Sequence, residues 1–153
     1  MPPLALALLI GIVAGMRSMT APTAIAWAAA AGWLPLGGTW LAWLGWWGTP
    51  WIFTVLAIGE YVADKLPTTP SRKSPPGFIA RLISGALCGA AIGLAASSLP
   101  LCIAAGVLGA VIGTFGGHAA RMALSRAFGT DLPAALIEDL AAIGIAAFAA
   151  ASL

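Results

Sequence analysis

Charge is what this sequence has least of. Only 8% of its 153 residues are Asp, Glu, Lys or Arg, against about 25% in soluble domains. A soluble fold of this size could not cover its surface with so few. The net charge of +2 rests on a few cations spread among apolar spans, so it does not point to nucleic acid, and no nucleic-acid partner is expected. There are two cysteines, Cys88 and Cys102, without the paired spacing of a zinc or redox site, so they read as small packing residues. No nucleotide-binding loop, haem attachment motif, Asp-rich metal motif or catalytic triad is visible. No metal, cofactor or catalytic residue is therefore assigned. The N-terminus lacks a basic stretch before its apolar run, so it reads as an uncleaved span rather than a signal peptide.

What is abundant is apolar surface, at 61% hydrophobic residues. A helix needs about 20 apolar residues to cross the hydrocarbon core. The sequence predicts an all-α integral membrane protein, a single domain over 1–153, with about five transmembrane helices. They fall at residues 4–31, 51–66, 78–97, 101–125 and 132–152. The first is long and is interrupted by Gly15-Met16-Arg17-Ser18-Met19-Thr20-Ala21-Pro22, so a break near Pro22 is expected. Residues 32–50 are rich in tryptophan and carry Gly37-Gly38. They are expected to lie along the membrane interface.

Residues 53–81 hold Glu60, Asp64, Lys65, Arg72, Lys73 and Arg81, half of the twelve charged residues. The hydrophilic loop 67–77 is basic, which predicts that it faces the cytoplasm. Five spans then put the N-terminus inside and the C-terminus outside. Gly85, Gly89 and Gly93 in the third span, and Gly109, Gly113 and Gly117 in the fourth, form stripes on which another helix can pack closely. Gly11-x3-Gly15 followed by Arg17 resembles Gly113-x3-Gly117 followed by Arg121. Each is followed by a helix with two acids, a weak sign of an inverted repeat relating spans 1–2 to spans 4–5.

Arg17, Glu60, Arg121, Glu138 and Asp139 lie inside the apolar zone or at its edge. An ionised side chain at a helix centre costs about 2.5–3.5 kcal/mol on insertion scales, so these groups should meet inside the bundle. Asp64 shares a helix face with Glu60. His118 lies just before Arg121, as either a packing residue or a ligand. Asp131 and Pro133 read as a helix start.

The run from Gly15 to Pro22, Glu60-x3-Asp64-Lys65-Leu66-Pro67, Thr69-Pro70-Ser71-Arg72, Arg81 with Ser84-Gly85-Ala86, Gly116-Gly117-x3-Arg121 and Glu138-Asp139 occur in this order. Together they resemble the bacterial DUF4126 family over nearly the whole chain. The resemblance implies a small multipass protein of the inner membrane and supplies no reaction. The first functional reading is a transporter or channel for an ion or small solute. Arg17, Glu60, Asp64, His118, Arg121, Glu138 and Asp139 would bind or counter the charge. A homo-oligomer, dimer or trimer, would form on the glycine stripes. The alternatives are an assembly protein with a purely structural polar core, and a metal-dependent lipid-phosphate enzyme.

Overall fold

The computed structural model describes residues 1–65 and 74–153. Those residues are all-α, in six helices: α1 Pro3–Met16, α2 Thr20–Ala30, α3 Thr49–Ala63, α4 Pro75–Ala95, α5 Leu99–Phe128 and α6 Asp131–Ala151. Every helix has a proline within its first three residues: Pro3, Pro22, Pro50, Pro75, Pro100 and Pro133. There the missing amide hydrogen costs nothing, because first-turn amides have no partner within the helix. Pro22 therefore starts α2 and does not break it. The break lies at residues 17–19, just before it.

The chain reverses at that break. Met1, Pro3 and Leu6 line one cavity with Trp33, Leu34 and Leu153. If α1 and α2 ran on in one direction, Met1 and Trp33 would be about 45 Å apart. The first predicted span is thus a helical hairpin with Arg17 at its tip. Its arms are 14 and 11 residues long, about 21 and 16 Å, and a single crossing needs about 30 Å. Three helices, α4, α5 and α6, are long and apolar enough to cross a membrane, while α1 and α3 are shorter apolar helices. The expectation of five full crossings is replaced by these three, one shorter helix and the hairpin. The N-terminus also moves. It lies at the same end of the bundle as Leu153, not at the opposite end.

The glycines set the packing. A Cβ on Gly11 would strike Gly106 of α5, and one on Gly15 would strike Ala110. Contacts thus advance in the same direction along both helices, and α1 and α5 run parallel. That arrangement removes the inverted repeat. Gly85 faces Gly106, Gly89 faces Cys102 and Gly93 faces Leu99, so α4 runs antiparallel to α5. Gly109 and Gly113 meet the backbone of α1. Gly85, Gly89, Gly93, Gly109 and Gly113 of the predicted stripes are thus all used in packing inside the protomer.

On α6, small residues face the interior and large ones face out. Ala134, Ala135, Ala142, Ala146 and Ala149 are buried, while Leu132, Leu136, Leu140, Ile143 and Phe148 are exposed. This is the pattern of helices that approach closely in lipid, where large apolar side chains gain nothing by turning inward. In the tryptophan-rich segment, Leu34, Leu36, Leu41 and Leu44 are buried beneath Trp33, Trp40, Trp43, Trp46 and Trp47, all exposed. The leucines seal the end of the bundle that carries both termini. The indoles point outward, as an interfacial belt requires. Of the predicted basic loop, residues 67–73 lie outside the described residues, and Pro75–Gly77 form the first turn of α4.

Candidate functional site

The hairpin tip is non-helical backbone inside an apolar bundle. Such backbone persists only where protein groups or a wet cavity satisfy it. Glu60 of α3 supplies most of what is needed. Its Oε1 accepts from the Ser18 amide and hydroxyl, each at 2.8 Å, and its Oε2 accepts from the Met19 amide at 2.8 Å. The carboxylate sits at the N-terminus of α2, where free amides and the helix dipole favour negative charge. Ser84 of α4 donates to the Ser18 carbonyl at 2.6 Å. Thr23 donates to the Met19 carbonyl at 2.7 Å, and Thr114 reaches the Gly15 carbonyl at 3.3 Å. Glu60, expected as an ion ligand, thus caps the tip.

Replacing Glu60 with glutamine gives one of these amides a donor instead of an acceptor. Leaving a buried donor unsatisfied costs about 1–3 kcal/mol. The expected result is a loss of that size in thermal unfolding in micelles, with faster hydrogen exchange at Ser18 and Met19. Unchanged protection of both amides would contradict the capping role.

Arg17 ends α1 in an extended conformation and is fully buried. Its Nη1 lies 2.9 Å from Asp64 Oδ2, and its Nη2 lies 2.5 Å from Asp139 Oδ1 and 3.7 Å from Glu138 Oε2. Its guanidinium lies over the Tyr61 ring, 5.6 Å from the centroid, and the Tyr61 hydroxyl is 2.6 Å from Thr20 Oγ1. Arg121 of α5 contacts the same Asp64 oxygen and lies 3.6 Å from Glu138. Its other edge forks onto Asp131, Nε to Oδ1 at 3.0 Å and Nη2 to Oδ2 at 2.6 Å, the planar match that guanidinium makes with carboxylate. Lys65 binds Asp139 Oδ2 at 2.7 Å. The result is one chain of alternating charge: Asp131, Arg121, Asp64, Arg17, Asp139, Lys65. Glu138 lies between the two arginines.

The predicted residues Arg17, Asp64, Arg121, Glu138 and Asp139 are therefore brought together. Glu60 is drawn to the tip beside them. His118 is half-buried on α5, one turn before Arg121. Asp131 has a second role beyond starting α6, because it holds Arg121 from outside. Ser18, Thr20, Tyr61, Ser84 and Thr114 were missed. One signal was available: Tyr61 is the only tyrosine in the chain, and it stands three and four residues before Asp64 and Lys65, on their helix face. Ser84 and Thr114 look like ordinary small polar residues until the tip places carbonyls beside them.

Several of these contacts are ionic without good hydrogen-bond alignment. Arg17 Nε has no hydrogen-bond acceptor among the described residues. The cluster is buried and charged, and its donors are not saturated. Comparison with protein-family models, with curated proteins and with solved structures finds no match for this chain.

Proposed function

We propose that this protein is a small integral membrane transporter or channel for an ion or small solute, working through the hairpin tip. One observation carries the reading: Arg17 is fully buried at a chain reversal and is shared by carboxylates from two other segments, Asp64 after α3 and Glu138 and Asp139 on α6. A purely structural network of this kind can be replaced by packed apolar residues at little cost. Reversals and broken helices at membrane depth commonly house ion and solute sites. A cation or proton would compete with Arg17 and Lys65 for Asp139, and an anionic solute would compete with the carboxylates for Arg17 and Arg121. Between the cluster and the tryptophan end, Ile10, Val13 and Ala14 are fully buried, so passage requires the hairpin to move against α4 and α5.

The positive-inside rule assigns the end with Lys65, Arg121 and Arg126 to the cytoplasm, and both termini with the tryptophan belt to the outside. The resemblance to the DUF4126 family supports a bacterial inner membrane. The assembly-protein alternative draws on Glu60, whose oxygens both serve the tip. Among the described residues no three His, Cys, Asp or Glu side chains group to hold a metal, and nothing in the geometry favours the lipid-phosphate enzyme.

The test is flux in proteoliposomes under a pH gradient with a panel of small ions, comparing the wild type with Asp139→Asn. The variant keeps shape and loses charge. Flux reduced at least about tenfold, about 1.4 kcal/mol, with folding intact, is the expected result. Equal flux in the two proteins, or none in the folded wild type, would leave the assembly reading in its place.

A further inference from the structure

Among the helices, α3 is the least embedded. It packs against α2 and the short turn Ala42–Gly45, and along its length only Thr49, Pro50 and Ala57 are buried. Trp51, Ile52, Val55, Leu56, Ile58 and Val62 are exposed. Apolar grooves flank it, one reaching Ile143 of α6 and one reaching Ile83 and Leu87 of α4. The first arm of the hairpin is held differently. Gly11 and Gly15 meet the α5 backbone directly, whereas a Cβ at Gly59 of α3 would meet nothing within 4 Å.

The two ends of α3 are held by different forces. At the tryptophan end the hold is packing. Pro50 is fully buried, and Thr49 donates to the Trp43 carbonyl at 2.7 Å. The rings of Trp51 and Phe53 meet Trp27 and Trp43 edge to face, and Trp27 Nε1 donates to Thr54 at 3.1 Å. At the other end the hold is polar. Glu60 caps the tip, Tyr61 pairs with Thr20, Asp64 takes Arg17 and Arg121, and Lys65 takes Asp139.

The polar ties can be switched. An ion that binds Asp64 or Asp139 competes with Arg17 and Lys65, and its differential binding shifts α3 toward a released position. Few buried apolar contacts on that half of the helix oppose the movement.

We propose that α3 is the gate over the ion cluster. It pivots near Pro50 and swings the Glu60–Lys65 end away from the hairpin tip, while the tryptophan end stays seated. Pro50 to Asp64 spans about 21 Å, so a tilt of about 20° moves the far end by about 7 Å. The role as a gate rests on the transport reading, and the movement does not.

The experiment uses full-length protein in nanodiscs, spin-labelled in pairs and read by double electron–electron resonance. Val62→Cys with Leu136→Cys joins α3 to α6 near the cluster. Ile52→Cys with Phe148→Cys joins them near the tryptophan end. All four positions are exposed, and the native Cys88 and Cys102 are buried. Asp64→Asn and Lys65→Gln each remove one tie. The first pair is expected to show a second distance, longer by up to about 7 Å. Its share should rise at least about threefold in either variant, the weight of one partly exposed ion pair. The second pair should keep one distance throughout. A share that does not rise in the folded variants overturns the proposal. Equal broadening of both pairs also overturns it, because α3 would then leave as a whole. If both variants fail to fold, the ties are structural and the gate is refuted; if one fails, the other decides. The labels read position, so the result is independent of whether any solute is carried.

Discussion

Replacing Arg17 with methionine is expected to destabilise the protein by about 3 kcal/mol. Removing one partner of a buried ion pair costs about 3–5 kcal/mol, because the other charge is left buried and uncompensated. Here the lower end applies. Asp64 and Glu138 keep Arg121, and Asp139 keeps Lys65. Methionine fills most of the volume, so the loss reports charge rather than a cavity. Arg17→Lys should fall between the two, since an ammonium is a single point and cannot fork between Asp64 and Asp139 as the guanidinium does. Unfolding in detergent micelles measures all three proteins. A loss below about 1 kcal/mol for the methionine variant would mean that Arg121 and Lys65 suffice.

Gly106→Leu is expected to have a still larger effect. Overpacking a core usually costs about 1–3 kcal/mol, because side chains can shift. At Gly106 the atoms in the way are backbone. A Cβ there strikes the Gly85 carbonyl, and the Gly106 carbonyl already sits where a Cβ on Gly11 would go. Three helices meet at this point, and none can move without displacing the hairpin. The expected outcome is loss of monodisperse protein on size-exclusion chromatography. Gly144→Ala is the contrast. Nothing lies within 4 Å of a Cβ at Gly144, so the alanine should be neutral or stabilise α6 by up to about 1 kcal/mol. If both variants behaved alike, the close approach at Gly106 would be wrong.

The helical class, the exposed run of tryptophans and the convergence of the buried charges were legible in the sequence. They rest on local quantities: apolar run length, indole content and the cost of charge in hydrocarbon. The direction of the chain after Arg17 was not. The stretch from Gly15 to Pro22 reads locally as a kink, and what turns it into a reversal lies elsewhere. Glu60 is 41 and 42 residues away from the amides it holds, and Ser84 is 66 residues from the carbonyl it meets. The error propagated, since a hairpin in place of a crossing moves the N-terminus to the other end and turns the supposed inverted repeat into two parallel neighbours. Gly106 was missed for a related reason. The spacing rule marks Gly109, Gly113 and Gly117, but the helix presents Gly106 toward α4 and Gly11 together.

The tip also imposes an order on biogenesis. Residues 1–30 emerge from the ribosome before Glu60 and before Ser84. Until those arrive, the amides of Ser18 and Met19 and the guanidinium of Arg17 have none of the partners found in the finished bundle. A reversal with bare backbone cannot rest in hydrocarbon, and neither arm is long enough to cross by itself. The tip therefore acquires its full set of partners only after α3, α4 and α6 have been made.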